Sequence, residues 1–158
     1  MNPIKILIAD DIEIIAKTIK SELEKIEDVE IVGIAKDGEE ELEKIIELNP
    51  DLVVTDNKMP KMTGIEVIEK IKNSNIINKP DFILVTGNVD MSIREKVKEL
   101  KIYGVVEKSA SYDKLIEKVE EYKLMPKQEE KFQENNIMLK QNKQGILKTI
   151  LKRIFCNM

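Results

Sequence analysis

Histidine is absent from this sequence of 158 residues, and cysteine occurs once, as Cys156. A single cysteine excludes a disulfide within the chain, and the common zinc sites built from cysteine and histidine are excluded as well. Any metal ion bound here would therefore be held by oxygen atoms.

Long apolar segments are also missing. No apolar run is long enough to span a bilayer, and the opening residues, Met-Asn-Pro-Ile-Lys, do not form a signal-peptide pattern. These two absences predict a soluble, cytoplasmic protein.

The net charge of −4 is unevenly distributed. Residues 1–122 carry 18 basic and 27 acidic side chains, whereas residues 123–158 carry 8 basic and 3 acidic ones. The first region is too acidic to bind nucleic acid through bulk charge, which makes nucleic acid an unlikely partner, but the basic tail could bind something acidic.

Short β-branched runs alternate with longer stretches of helical periodicity, a pattern typical of βαβ units. It predicts an α/β protein with a flavodoxin-like (βα)5 doubly wound parallel sheet, in strand order 2-1-3-4-5, and a C-terminal helical extension. The strands are expected at residues 4–9, 30–35, 52–55, 82–86 and 105–107. The helices are expected at residues 12–26, 38–48, 64–73, 89–100 and 112–124.

The second predicted helix illustrates how its inner face is assigned. Leu42, Ile45, Ile46 and Leu48 recur at roughly helical spacing, so these apolar residues are expected to cover the sheet. The lysines and glutamates of this helix are expected to face the solvent.

Two regions are expected, a main domain at residues 1–124 and a linker with an amphipathic, basic helical tail at residues 125–158. Met125 and Pro126 interrupt the periodicity between them. The tail is interpreted as a helix that packs on its own domain or forms a homodimer contact, and a protein partner or a membrane surface is the alternative. Its apolar residues are Ile146, Leu147, Ile150, Leu151, Ile154 and Phe155.

Polar side chains stand at the predicted ends of four strands: Asp10 and Asp11, then Asp56, Thr86 and Lys108. Because the carboxyl ends of parallel strands meet at one edge of a sheet, these residues should lie close together. Crowded carboxylates repel one another unless a cation neutralises them. With oxygen the available ligand, Mg²⁺ or Mn²⁺ is the expected ion.

One carboxylate in such a site could act as a nucleophile toward phosphorus and form an acyl phosphate. Asp56 is the candidate because it stands alone at the central strand. Lys108 could pair with the phosphoryl oxygens, and the Thr86 hydroxyl could donate a hydrogen bond to them.

Each residue also has an ordinary interpretation. Asp11 could cap the first helix, and Asp56 could begin a turn. Thr86 suits a strand, and Lys108 could be a solvated surface lysine. The functional interpretation therefore depends on the ordered set rather than on any single residue.

The ordered set of Asp10-Asp11, the run from Asp56 to Pro60, Gly64, Thr86-Gly87 and Lys108 resembles the receiver domain of two-component response regulators over residues 3–122. The resemblance implies that Asp10, Asp11, Asp56 and the Lys58 carbonyl bind Mg²⁺. It implies that Asp56 accepts phosphate from a sensor histidine kinase or a phosphotransfer protein, and that Thr86 and Lys108 respond. It also implies a signalling protein that is not an enzyme, apart from self-catalysed phosphotransfer and autodephosphorylation.

Two positions depart from the family pattern. Val105 stands where an aromatic residue is expected, and Ser109 stands where a proline is usual. They leave open a pseudo-receiver that acts as a binding module without phosphorylation.

Two further classes are possible. One is the receiver half of a DNA-binding transcriptional regulator with a truncated output region, although no helix-turn-helix pattern follows. The other is a flavin or nucleotide enzyme of the same fold, but no glycine-rich phosphate loop follows the first strand.

Overall fold

The computed structural model describes residues 2–109 and 111–125. Along this part of the chain, strands and helices alternate. The strands are β1 (Ile4–Ala9), β2 (Val29–Ala35), β3 (Leu52–Asp56), β4 (Asp81–Thr86) and β5 (Gly104–Glu107). The helices are α1 (Glu13–Leu23), α2 (Gly38–Leu48), α3 (Gly64–Lys72), α4 (Met91–Glu99) and α5 (Asp113–Lys123).

The five strands form one parallel sheet in the order β2-β1-β3-β4-β5. The predicted fold class and strand order are confirmed, and the predicted bounds agree with the observed ones to within about three residues. The predicted linker and helical tail after residue 125 lie outside the described residues.

Apolar layers cover both faces of the sheet, as a sheet of parallel strands requires. One layer packs under α1 and α5 and includes Ile8, Ile19 and Val119. The other packs under α2, α3 and α4 and includes Val53, Ile68 and Phe82. Every residue of β3 is buried, so the central strand lies between the two layers.

The inner face of α2 differs from the prediction. The residues that this helix buries are Gly38, Glu41 and Ile45, while Ile46 is 59% exposed. The expectation that its glutamates all face the solvent is therefore wrong for Glu41. The buried face of the helix is centred on positions 38, 41 and 45, which lie on one side of a helix, and Ile46 lies outside it.

Side-chain caps begin three of the helices. The Asp37 carboxylate accepts a hydrogen bond from the Glu40 N–H at 2.8 Å, and Asp90 does the same for Ile93 at 2.9 Å. Thr63 and Glu66 form a reciprocal capping box at the start of α3. These caps satisfy N–H groups that a helix start leaves without partners, and so they fix where each helix begins after its strand.

No helix within residues 2–109 and 111–125 combines the length and the apolar character that a membrane crossing needs.

Candidate functional site

The register of the sheet brings four strand ends to one edge. Ala9 of β1 lies opposite Thr55 of β3, so Asp10 and Asp56 follow side by side. Thr86 ends β4 opposite Glu107 of β5, which places Lys108 immediately beyond that pair. The edge is the carboxyl end of the parallel strands, where open α/β sheets hold their ligands.

Lys108 joins the two central carboxylates. Its Nζ lies 3.0 Å from Asp10 Oδ2 and 2.9 Å from Asp56 Oδ2. Asp10 is 2% exposed and Asp56 is 6% exposed, so both carboxylates are largely shielded from water. A buried carboxylate needs a counter-charge, and one ammonium group here supplies it to two of them.

Backbone N–H groups engage the other oxygen of each carboxylate. The Ile12 N–H donates to Asp10 Oδ1 at 2.9 Å, and the Lys58 N–H donates to Asp56 Oδ1 at 3.3 Å. Both carboxylates are thereby oriented with one oxygen toward the chain and one toward Lys108.

The pKa shifts at the site reflect burial and the shared cation. Burial raises the pKa of Asp56, and Lys108 opposes the rise through its hydrogen bond and its charge, while the Asp10 charge adds to it. Burial lowers the pKa of Lys108, but hydrogen bonds and charges from Asp56 and Asp10 outweigh this effect and leave the pKa raised. Lys108 is therefore held in its charged form.

The donor set suits a divalent cation. One carboxylate oxygen from each of Asp10, Asp11 and Asp56 lies within 4.8 Å of the others, and Asp11 is exposed while the other two are buried. Carboxylate oxygens are ligands that hard cations such as Mg²⁺ prefer. These residues therefore fit such an ion, whereas the role of the Lys58 carbonyl stays a prediction.

Thr86 lies at the same edge and is buried. Its carbonyl accepts a hydrogen bond from the Lys108 N–H at 2.7 Å. The backbone that carries the ammonium is thus tied to the strand that carries the hydroxyl, so a shift of one is transmitted to the other. The response of the Thr86 hydroxyl to phosphate stays a prediction.

The loop between β3 and α3 is tied down close to Asp56. The Gly64 N–H donates to the Asn57 carbonyl at 3.1 Å, and the Ile65 N–H donates to Asn57 Oδ1 at 3.2 Å. A Cβ at Gly64 would lie 2.4 Å from the Asp56 carbonyl oxygen. Glycine at this position is therefore what allows α3 to start against the end of β3.

The ordinary interpretations have mixed outcomes. Asp11 does not cap α1, because the N-cap residue is Ile12 and no side chain caps this helix start. The bond from the Lys58 N–H to Asp56 resembles the local turn bond that an aspartate often makes, so Asp56 also has this structural role. Lys108 is not a solvated surface lysine, because it is paired with both carboxylates.

The two departures from the family pattern occupy different surroundings. Val105 is half-buried and packs against the apolar layer under α2, α3 and α4. Ser109 donates a hydrogen bond from its hydroxyl to the Ser111 carbonyl at 2.7 Å, which shapes the loop after Lys108.

The sequence analysis did not identify two residues that lie next to the site. Glu41 is fully buried, and the Thr55 hydroxyl lies 3.0 Å from its Oε2. Because Thr55 immediately precedes Asp56, the Glu41–Thr55 pair lies next to the candidate phosphoacceptor. The spacing of position 41 from Gly38 and Ile45 is compatible with one helical face, but the apolar Ile46 favours a different face, so the sequence alone did not place Glu41 inside.

Comparison with known proteins decides the family. The family model for the response regulator receiver domain matches residues 6–120. The chain belongs to this family. The resemblance noted from Asp10, Asp56 and Lys108 is therefore confirmed, and this receiver is a domain of a two-component response regulator, a class that works with histidine kinases or phosphotransfer proteins.

Curated relatives and solved structures agree with the assignment. The receiver is 33% identical over 89 residues to protein-glutamate methylesterase/protein-glutamine glutaminase 2 of Carboxydothermus hydrogenoformans, a match of 56% of this chain and 24% of that protein. The response regulator domain of Thermotoga maritima CheB has a TM-score of 0.67 at 25% identity, covering 77% of this chain and 93% of that one. The isolated receiver domain of RcsB from Salmonella enterica serovar Typhimurium has a TM-score of 0.63 at 31% identity, covering 70% and 80%.

These names correct the expectation that the protein is not an enzyme. That expectation is wrong because several curated relatives are enzymes, the protein-glutamate methylesterases/glutaminases. The chain spans about a quarter of the length of these relatives, and the match covers their receiver portion. A receiver sequence by itself does not record which activity its protein carries, so the resemblance alone could not support that expectation.

Proposed function

We propose that this receiver is a phosphorylation switch with Asp56 as the phosphoacceptor. A sensor histidine kinase or a phosphotransfer protein would supply the phosphoryl group, and the modified receiver would change its binding to a partner. The observation that carries the proposal is the meeting of three carboxylates and one ammonium group at the carboxyl edge of the sheet.

In the proposed reaction, a carboxylate oxygen of Asp56 attacks the phosphorus of a phosphohistidine. The new O–P bond forms as the N–P bond breaks, and the imidazole leaves with the electron pair. Lys108 already lies on Asp56 Oδ2 and would pair with the phosphoryl oxygens as they arrive. The hydroxyl of Thr86, at the neighbouring strand end, would donate to the same group.

Asp10, Asp11 and Asp56 would hold Mg²⁺ or Mn²⁺, because their carboxylate oxygens gather at this edge. The resemblance to the family adds the Lys58 carbonyl to this ligand set. When bound, the cation supplies positive charge that offsets the repulsion between the carboxylates and the phosphoryl oxygens. The backbone bonds to Asp10 and Asp56 keep one oxygen of each carboxylate turned toward the chain, which leaves the others for the cation and for Lys108.

The test is the mass of the full chain after incubation with acetyl phosphate and Mg²⁺. We expect one phosphoryl adduct, which disappears in Asp56→Asn and in the presence of a chelator. Asp28→Asn is the matched control, because it makes the same chemical change at an exposed position with φ 59°, a conformation that asparagine tolerates. An adduct that persists in Asp56→Asn would reject Asp56 as the acceptor.

The curated relatives favour a second proposal, that this receiver controls a protein-glutamate methylesterase. The supporting observation is the set of relatives with that name, which match it at 30–35% identity. The measurement is methanol release from a protein carrying glutamyl methyl esters by a protein-glutamate methylesterase to which the full chain is added, in the presence and absence of acetyl phosphate. Release above the level of Asp56→Asn would support this function, and equal release would contradict it.

A further inference from the structure

Glu41 lies inside the protein at a position where a helix facing a sheet ordinarily has an apolar side chain. It is in the first turn of α2, on the buried face that also contains Gly38 and Ile45, and it is 0% exposed. Its Oε2 lies 3.0 Å from Thr55 Oγ1, and no protein donor among the described residues reaches Oε1. An ionised carboxylate here would be poorly compensated, because a buried charge needs a counter-charge or several donors.

The Thr55 hydroxyl connects Glu41 to the acceptor strand. Its Oγ1 lies 3.0 Å from Glu41 Oε2 and 3.1 Å from the carbonyl oxygen of Asp56. A threonine hydroxyl has one hydrogen, so it cannot donate to both oxygens at once. An uncharged Glu41 removes the conflict, because its own O–H donates to Thr55 Oγ1 and the Thr55 hydrogen remains available for Asp56.

Two ion pairs involve charged groups on α2 and on β3. On α2, Glu40 pairs with Lys44 at 2.7 Å, and on β3, Asp56 pairs with Lys108. Burial raises the pKa of Glu41 to about 8, and the hydrogen bond with Thr55 opposes the rise. The other charged side chains on α2, at its N-cap and on the packed elements β1, β2 and α3 are Asp37, Glu39, Glu43, Glu47, Lys5, Glu30, Glu66, Glu69, Lys70 and Lys72.

We propose that Glu41 is held as an uncharged acid and positions the backbone of Asp56 through the Thr55 hydroxyl. This inference rests on the proposed role of Asp56 as the phosphoacceptor. Glu41 does not touch the reacting atoms and is therefore a positioning residue, not a catalytic one.

The Asp56 carbonyl is a sensitive point for such positioning. It accepts from Thr55, and it is also the group against which α3 packs at Gly64. When Glu41 loses its proton, the Thr55 hydroxyl turns to the new carboxylate and the Asp56 carbonyl loses that donor. The end of the acceptor strand then changes its geometry, so phosphorylation slows as Glu41 ionises in mildly alkaline solution.

The experiment compares the full chain with Glu41→Gln and Glu41→Met. Glutamine keeps a donor for Thr55 and cannot ionise, whereas methionine fills a similar volume without that hydrogen bond. Glu43→Gln is the matched control, because Glu43 is exposed on the same helix. The measurement is the initial rate of adduct formation with acetyl phosphate and Mg²⁺, by intact mass, between pH 7 and pH 9.

With a pKa of about 8, the uncharged fraction of Glu41 falls about tenfold between pH 7 and pH 9. We therefore expect the rate ratio of Glu41→Gln to the native chain to rise several-fold, up to about tenfold, over this range. Glu41→Met should also give a ratio that rises with pH, because it cannot ionise, but its rate should lie below that of Glu41→Gln at every pH, because no donor then orients the Thr55 hydroxyl toward the Asp56 carbonyl. The Glu43→Gln ratio should stay flat, and an equally flat ratio for Glu41→Gln would overturn the proposal.

A second measurement keeps the test independent of phosphorylation. The backbone amide signals of Thr55, Asp56 and Asn57 are followed by NMR against pH in the native chain and in Glu41→Gln. We expect a titration near pH 8 that is present in the native chain and absent in the variant. Its absence from both would refute the role of Glu41, whereas failure of every chain to take up phosphate would count against the proposed function alone.

Discussion

At the scale of single residues, Lys108 carries the charge balance of the acidic edge. Its Nζ is nearly equidistant from Asp10 and Asp56, so one ammonium group compensates the negative charge of two buried carboxylates. Removal of that group leaves both carboxylates facing each other in a partly shielded site, where repulsion is stronger than at the surface.

We expect Lys108→Met to lower the free energy of unfolding by about 1–3 kcal/mol without divalent cations, because it removes charged hydrogen bonds from two buried acceptors. Millimolar Mg²⁺ should restore part of the loss. Urea denaturation with and without EDTA measures both effects. Lys17→Met serves as the control, since Lys17 and its partner Glu13 are both exposed and such a pair contributes little to stability. A Lys108→Met loss no larger than that of the control would contradict the expectation.

Glu41 predicts a dependence of stability on pH. Its pKa is about 8 in the folded chain, compared with 4.5 for an ordinary glutamate, so between these two pH values the folded state holds a proton that the unfolded state has lost. The stability from this group is thus fully present below the unfolded pKa and is lost as the pH rises toward 8, with a slope of about 1.4 kcal/mol per pH unit.

Glu41→Gln cannot ionise and should lack this slope. Its free energy of unfolding relative to the native chain should therefore increase steadily from pH 5 to pH 8, as measured by urea denaturation at several pH values. Glu43→Gln should track the native chain, because Glu43 is exposed on the same helix. Parallel curves for the native chain and Glu41→Gln would show that Glu41 is charged in the folded protein.

At the scale of elements, the start of α3 determines how closely a helix approaches the end of β3. Gly64 places the helix backbone directly against the Asp56 carbonyl, and the capping box of Thr63 and Glu66 fixes the first turn there. The contact joins the backbone of α3 to the backbone of β3, so neither element can shift easily to accommodate a larger side chain at position 64.

We expect Gly64→Ala to destabilise the protein by about 1–3 kcal/mol, because its Cβ would lie 2.4 Å from the Asp56 carbonyl oxygen and the helix would have to shift. Gly87→Ala is the matched control: its Cβ would meet no atom within 4 Å, and its φ is not positive. The control should stay within about 0.5 kcal/mol of the native chain or gain slightly. Thermal denaturation of the two variants under one condition distinguishes them, and equal midpoints would refute the argument.

The same scale shows how far the sequence could predict the molecule. Alternation of strand and helix patterns determines a parallel sheet, and the residues after each strand then fall at one edge, so Asp10, Asp56 and Lys108 could be placed in advance. The rotation of α2 about its axis could not be predicted, because Ile46 and Glu41 give conflicting signals. Hydrophobicity favours burial of Ile46, whereas burial of Glu41 depends on its contact with Thr55, which no sequence pattern shows. The hydrogen bonds of Asn57 depend on loop geometry that no periodicity specifies.

At the scale of the whole molecule, the acidic edge implies a link between metal binding and stability. A ligand that binds the folded state alone stabilises it by an amount that grows with concentration, about 2.7 kcal/mol at one hundred times Kd. We expect Mg²⁺ to raise the midpoint of thermal unfolding of the full chain, and EDTA to reverse the effect.

The effect should be strongly reduced in Asp10→Asn, which removes one charged donor from the cluster, and preserved in Asp28→Asn. Midpoints measured by differential scanning fluorimetry over a range of Mg²⁺ concentrations provide the comparison. A rise of equal size in both variants would mean that Mg²⁺ stabilises the protein at another place.

The position of the site within the sheet also has a consequence for the order in which the protein opens. Asp56 ends the central strand, which is buried along its whole length, whereas Lys108 follows β5, a four-residue strand at the edge. Amide hydrogens of an edge strand exchange through small local openings, while those of a central strand wait for larger ones. We therefore expect β5 to exchange with deuterium well before β3, as mass spectrometry of peptides from the two strands would show. Lys108 can then leave its partners by an opening that does not disturb the strand bearing the acceptor.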